Sequence, residues 1–242
     1  MPPLDLSAFR AFSFDCYGTL IDWERGLLRA FGEVMGARGL VYPDELLLET
    51  FASVEADVEA EATGANFLMY RDVLCAVLDG VGDELGFAPS PDEQATFAAS
   101  VATWPPFADT RAALAKLAER YDLIVLSNVD ADLFEGSERQ LGVPFRHVYT
   151  ADKIGSYKPS PRNFEYLVEH AGVAPGELLH VAQSLFHDIG PARSAGLATV
   201  WVHRRGDRVG GGATPPSSAV PDLEVPDLAT LADLCDAAHA VR

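Results

Sequence analysis

The 242 residues fit one domain, or one domain with a large insertion, and 48% of them are apolar, enough to bury a sizeable core. Acidic residues outnumber basic ones 36 to 18, a formal charge of −18. That balance excludes nucleic acid and anionic membrane surfaces as partners, since both need clustered Lys and Arg, and an anionic substrate would need a local cation to overcome the background field.

In chain order, the first informative stretch is Phe12-Ser13-Phe14-Asp15-Cys16-Tyr17-Gly18-Thr19-Leu20. An apolar run, interrupted by Ser13, ends in a carboxylate and a Gly-Thr turn, which reads as a buried parallel strand. Ligands of open α/β sheets sit beyond the carboxyl ends of the strands, so Asp15 is expected to face the site. There a carboxylate can act as a nucleophile and form an ester. Gly18 lets the backbone turn sharply and expose N–H groups. Cys16 has the opposite strand parity and is expected to pack in the core.

From about Trp23 to Ala102 the spacing is helical, through Leu27, Leu28 and Phe31, then Leu46, Leu47, Phe51 and Val54, then Leu68, Val73, Leu74 and Leu78. Pro43-Asp44 and Pro89-Ser90-Pro91-Asp92 mark helix starts. Trp104-Pro105-Pro106-Phe107 marks the return to the core. Strands and helices then alternate. Helices are expected at Asp109–Arg120, Asp130–Leu141, Ser160–Ala171, Asp188–Ala195 and Leu228–His239, and strands at Leu123–Leu126, His147–Thr150, Leu178–Ala182 and Ala198–Val202. Arg205 to Pro221 reads as a loop, and its Gly210-Gly211-Gly212 run lacks the strand and helix that a phosphate loop needs. The pattern predicts a Rossmann-like parallel sheet core (1–22 and 104–242) with helices on both faces. A helical cap (23–103) is inserted after the first strand.

Cys16, Cys75 and Cys235 are widely spaced, without metal-ligand spacing, as in a reduced cytoplasmic protein. No stretch is long and apolar enough to span a bilayer, and the first residues lack a basic segment followed by a long apolar run.

The strand ends bring together Asp15, Ser127-Asn128, Gln183-Ser184 and Asp188, with Lys158 of Ser156-Tyr157-Lys158-Pro159 beside them. In order and placement the chain resembles the haloacid dehalogenase-like superfamily over nearly its full length. Asp15-Cys16-Tyr17-Gly18-Thr19 matches its first motif, Ser127-Asn128 its second, Lys158-Pro159 its third and Asp188 part of its fourth. The resemblance implies an aspartyl-ester intermediate on Asp15 and hydrolysis by water, aided by Lys158 and Asp188.

The phosphatase branch carries a proton-donating Asp two residues after the nucleophile, where this chain has Tyr17. A halide leaves without a proton, so a dehalogenase can lack that acid. Gln183 likewise replaces an acid that would help hold Mg²⁺. The pattern is most similar to the metal-free 2-haloacid dehalogenases. That implies a small carboxylate substrate, no cofactor, and an organisation compatible with a homodimer. By the same resemblance Ser127, Thr19 and nearby N–H groups would hold the substrate carboxylate or oxyanion, Asn128 would help bind halide, and Tyr17, Ser184 and His187 would line the pocket. His187 could also assist the hydrolytic water, and the other histidines read as surface or packing residues.

The chain departs from the best-studied haloacid dehalogenases at Phe164, where they have Tyr, and at Gln183-Ser184-Leu185, where they have Ser-Ser-Asn. It also lacks their early-cap halide arginine: Leu46 to Ala62 has none, and Arg71 is the substitute on offer. The competing expectations are a Mg²⁺-dependent small-molecule phosphatase and a catalytically silent binding member of the superfamily.

Overall fold

A computed structural model describes residues 4–62, 64–206, 214 and 216–240. Its centre is β1 (Ala11–Phe14), four buried residues paired in parallel on both sides, with β2 (Asp122–Ser127) and with β4 (Leu178–Ala182). The sheet continues through β3 (His147–Thr150), β5 (Ala198–Val202) and β6 (Leu223–Val225), in the order β3-β2-β1-β4-β5-β6 and parallel throughout. In this register Phe14 lies beside Val125 and Val181. Asp15, Ser127 and Gln183 therefore emerge at one edge. Polar Ser13 is tolerated at the centre because its hydroxyl lies 2.9 Å from Nδ1 of His180, its register neighbour on β4.

Helices cover the sheet: α5 (Thr110–Ala118), α6 (Ala131–Leu141), α7 (Ala151–Ile154), α8 (Pro161–His170), α9 (Gly190–Ser194) and α10 (Leu228–Ala240). Four more fill the insertion between β1 and β2: α1 (Trp23–Gly36), α2 (Asp44–Glu61), α3 (Tyr70–Leu85) and α4 (Pro91–Ala99). Their apolar stripes meet in an aromatic cluster, with Phe31 edge-on to Phe51 at 6.3 Å, Trp23 edge-on to Phe51 at 6.0 Å, and Phe31 tilted against Phe97 at 4.9 Å. Ser90 and Glu93 cap α4 reciprocally.

Two features join the insertion to the sheet. The outgoing and returning segments run side by side, as the Asp22 N–H donates to Pro105 O (2.8 Å) and the Phe107 N–H to Leu20 O (3.1 Å). The second is Asp130. It precedes α6 but does not cap it, and instead accepts from the Tyr70 (2.7 Å) and Arg71 (3.0 Å) N–H groups, the unpaired start of α3.

Two expectations change, and a third falls where the structure gives no description. β6 is a sixth strand, a three-residue edge too short for its pattern to register. The helix expected from Asp188 starts earlier, as a wide π-type turn over Leu185–Ile189 that runs into α9. The Gly210–Gly212 run lies outside the described residues.

Trp104, 1% exposed, closes the return by packing on Gly26, where an added Cβ would stand 2.2 Å from the indole Cγ. Gly26→Ala should therefore destabilise the protein by about 1–3 kcal/mol through overpacking. Gly32→Ala, in the same helix with open space around it, should stabilise it by up to about 1 kcal/mol. Urea unfolding midpoints of the two variants check both signs.

Candidate active site

The turn after β1 aims the first carboxylate. Gly18 adopts φ +93°, a left-handed conformation that other residues rarely take. The Leu20 and Ile21 N–H groups fold back onto Cys16 O at 2.7 and 2.9 Å. This brings Thr19 under Asp15: its Oγ1 accepts from the Gln183 N–H (2.8 Å) and donates to Asp15 Oδ2 (2.7 Å). Thr19 is fully buried and its one hydroxyl proton is used, so it positions Asp15 rather than holding a substrate carboxylate. Cys16 is buried in the core, where burial pushes its thiol well up and keeps it neutral.

Lys158, 2% exposed, reaches the other Asp15 oxygen. Its Nζ donates to Asp15 Oδ1 (2.8 Å), Asp188 Oδ1 (2.6 Å) and Leu126 O (3.1 Å), using all three protons. Asn128 fixes the lysine's backbone, as its Oδ1 accepts from the Lys158 N–H (2.7 Å) and its Nδ2 donates to Lys158 O (2.9 Å). The Nδ2 group also faces Glu59 at 3.4 Å, so Asn128 borders the cavity while it clamps the Lys158 segment. On the far side, His180 Nε2 lies 3.0 Å from Asp188 Oδ1 and the Phe164 ring stands edge-on to the imidazole at 5.3 Å. His180 is thus a packing residue that also holds Asp188. Ser184 forms the π-turn's cap by accepting from the His187 N–H (2.8 Å).

The charges follow from burial and pairing. Burial pushes the Asp15 carboxyl up, and the Lys158 ammonium offsets this only in part, leaving it above its ordinary value. Burial also pushes Asp188 up, but Lys158 and the His180 hydrogen bond outweigh it and hold that carboxyl below the usual range. Lys158 stays charged, because Asp15 and Asp188 overcome the cost of its burial. Burial pushes His187 down to about 4, so its ring is neutral at pH 7.

These groups line a cavity of about 50 Å³ with Tyr17, Ser127, Asn128, Gln183 and Ser184. Its opposite wall comes from the insertion: Trp23, Glu55, Glu59 and Tyr70. A larger groove of about 460 Å³ between α2 and the Lys158 segment shares Glu59, Lys158 and His187 with it. Ser127 Oγ and Asp188 Oδ2 are buried with no hydrogen-bond partner among the described residues. Tyr17 is anchored by its hydroxyl, 3.0 Å from Ser137 Oγ, and by an edge-on contact with Trp104.

Arg71 is not part of this wall. Its guanidinium pairs with Asp130 (3.3 Å) and Asp132, at the joint between α3 and α6, because those carboxylates lie beside its own helix start. The residues the motifs did not reveal are Glu55, Glu59, Tyr70 and His180. Glu55 had a usable signal, since it continues the apolar stripe of Leu47, Leu48 and Phe51 and is 8% exposed. Tyr70 OH donates to its Oε1 (2.8 Å), yet burial still raises the carboxyl to about 7. Glu59 is raised well above the ordinary value by burial and then by Glu55, moderated by the Lys158 charge and the Asn128 amide.

A strand-end carboxylate tied to a threonine and a buried lysine, on a Rossmann-like parallel sheet, is an arrangement suited to hydrolysis through the carboxylate. The chain belongs to the haloacid dehalogenase-like hydrolases, whose family model matches residues 9–196. It is 27% identical to the 5-amino-6-(5-phospho-D-ribitylamino)uracil phosphatase YigB of Escherichia coli (strain K12), over 95% of this chain and 97% of that one. It is 24% identical to (S)-2-haloacid dehalogenase 1 of Pseudomonas sp. (strain CBS-3), over 82% of this chain and 86% of that one. In fold it matches the L-2-haloacid dehalogenase from Xanthobacter autotrophicus with a TM-score of 0.79, at 23% identity, covering 94% of this chain and 98% of that one.

The Glu55 assignment has a thermodynamic consequence. A carboxyl raised from 4.5 to about 7 on folding makes the native state bind more protons than the unfolded one between those values. Its contribution to stability is full below pH 4.5 and is lost as pH rises through about 7. Glu55→Gln should therefore gain stability relative to the wild type as pH rises through that window, as read from unfolding free energies at several pH values.

Proposed function

We propose that the protein is a metal-independent hydrolase of the 2-haloacid dehalogenase type, displacing halide from carbon through an ester on Asp15. The observation that carries this reading is Tyr17. The position that would protonate a basic leaving group holds a phenol whose hydroxyl faces Ser137, so the nucleophile's own turn supplies no acid. A halide needs none. Retention of Asp15, Lys158 and Asp188 in one bonded cluster speaks for catalysis over a silent binding role.

Asp15 Oδ attacks the halogen-bearing carbon, forming the ester C–O bond as the carbon–halogen bond breaks and halide departs with its electron pair. Water then adds to the Asp15 carboxyl carbon. Unpartnered Asp188 Oδ2 aligns that water, and Ser127 Oγ donates to the developing oxyanion. One water proton passes to the departing alcohol oxygen and the second is lost as the Asp15 carboxyl re-ionises. Lys158 keeps a positive charge beside Asp15 and Asp188 throughout. With a 2-haloacid the product is a 2-hydroxy acid. The insertion acts as the cap that keeps bulk water from the first step, and the adjoining groove is the way in.

Mg²⁺ does not fit this donor set. Asp15 Oδ1 and Asp188 Oδ1 both face the Lys158 ammonium, and Gln183 brings no charge. No group of three His, Cys, Asp or Glu suited to a metal occurs among the described residues. The phosphatase relative of similar length makes phosphoryl transfer the reading to test against.

A screen for halide and phosphate release, with EDTA or with Mg²⁺, separates the two. Halide release unaffected by EDTA is expected, whereas phosphate release that needs Mg²⁺ would move the protein to the phosphatases. Asp15→Asn should lower turnover by on the order of 10⁴-fold while the protein stays folded. Wild-type rates in that variant would reject the mechanism.

A further inference from the structure

We propose that Glu55 and Glu59 on α2 form a recognition site for a cationic nitrogen of the substrate, so that the organic halide taken up carries an ammonium group. The proposal rests on the dehalogenase-type reading of the site and specifies its substrate class. Among the described residues four carboxylates line the cavity, Asp15, Asp188, Glu55 and Glu59, against one cationic side chain, Lys158. The lysine's three donors already serve Asp15, Asp188 and Leu126 O, which leaves it none for a ligand. Among the described residues no arginine reaches the wall, and His187 is neutral. A ligand carboxylate placed against Glu55 and Glu59 would oppose their ionisation and leave both acids without a cation.

The wall is instead built for a donor. Glu55 and Glu59 stand one helical turn apart on one face of α2, and both border the cavity. Glu55 spends one oxygen on the Tyr70 hydroxyl (2.8 Å), and Glu59 has only the long Asn128 contacts at 3.4 and 3.5 Å. Both therefore keep acceptor capacity toward the cavity. Buried acidic side chains without a cation are costly, and a bound ammonium removes that cost by letting them ionise as a pair with it. The second sign of a ligand is independent of these acids. Ser127 Oγ, on a residue 3% exposed, borders the same cavity and has no hydrogen-bond partner among the described residues. Asp188 Oδ2 is likewise unpartnered and is the oxygen assigned to the hydrolytic water. Glu55 and Glu59 border the same cavity as Asp15, so the ammonium and the reacting carbon belong to one compact substrate. The substrate class is a short halogenated amine or amino acid.

The test uses two probes of one shape, propylammonium and propionate, titrated into the full chain and followed by NMR in about 0.15 M salt, which screens the acidic surface. Propylammonium is expected to bind at least about tenfold more tightly than propionate, the ratio that one charge-assisted hydrogen bond supplies. Glu59→Gln should shrink that preference and the Glu55→Gln/Glu59→Gln double variant should abolish it. The half-buried Glu59 single variant carries the test should the double variant unfold on heating at a lower temperature than the assay. Equal or tighter binding of propionate overturns the proposal and makes the pair a neutral donor to an anion. Binding of neither probe at about 50 mM also overturns it, since ligands of this size reach millimolar affinity in a matched site. A preference that survives in the variants overturns it as surface binding. The readout needs no turnover, so an ammonium preference without halide release would remove the dehalogenase reading and leave the recognition site standing.

Discussion

Lys158 is a buried ammonium held between two buried carboxylates, and the rest of the site is arranged around that fact. Each of its protons has an acceptor, on Asp15, Asp188 and the last turn of β2. Removing a partner would leave an uncompensated charge in the interior, a cost of several kcal/mol. The surroundings accordingly restrain every member. Thr19 holds Asp15, Asn128 holds the lysine backbone, and His180 holds Asp188 while leaning on Ser13 of β1 and the edge of Phe164. A continuous polar chain thus crosses three strand ends, and the parallel register of β2, β1 and β4 makes it possible.

The two halves of the site differ in charge and in construction. The sheet side is neutralised locally, with one cation serving two anions. Among the described residues the helical side presents Glu55 and Glu59 with a phenol and an amide and no cation. The wall facing the strand ends is therefore acidic on its helical side. The Asp130 carboxylate, seated on the start of α3, couples the position of Tyr70, and through it Glu55, to the core at α6. Arg71 belongs to that joint.

Much of the sheet and of the polar chain at its edge could be read from the residues alone. Asp15, Lys158 and Asp188 are legible because turn chemistry is local: a carboxylate after an apolar run, a Gly-Thr turn, and polar pairs at the ends of later strands. The helical block was legible from its periodicity. What lay beyond reading depends on tertiary contacts. That the two ends of the Asn128 amide pair with the Lys158 backbone needs the two segments to be seen side by side. Arg71 looks like the missing cation until Asp130 and Asp132 claim it. Glu55 and Glu59 sit in a helix with many acids, and only the packing of α2 over the strand ends shows which two face inward. His180 and Ser13 are polar residues in buried runs, and their pairing needs the register to be known.

The central claim is that Asp15 becomes covalently attached to the substrate carbon. It is tested most directly by turning over a halide-releasing substrate in ¹⁸O water and weighing the peptide that contains Asp15. If water hydrolyses an ester at the Asp15 carboxyl carbon, a single turnover places the label in Asp15 and leaves the product alcohol unlabelled. Label in the product of that first turnover, with none in the peptide, would mean that water attacks the substrate carbon itself and would contradict the account.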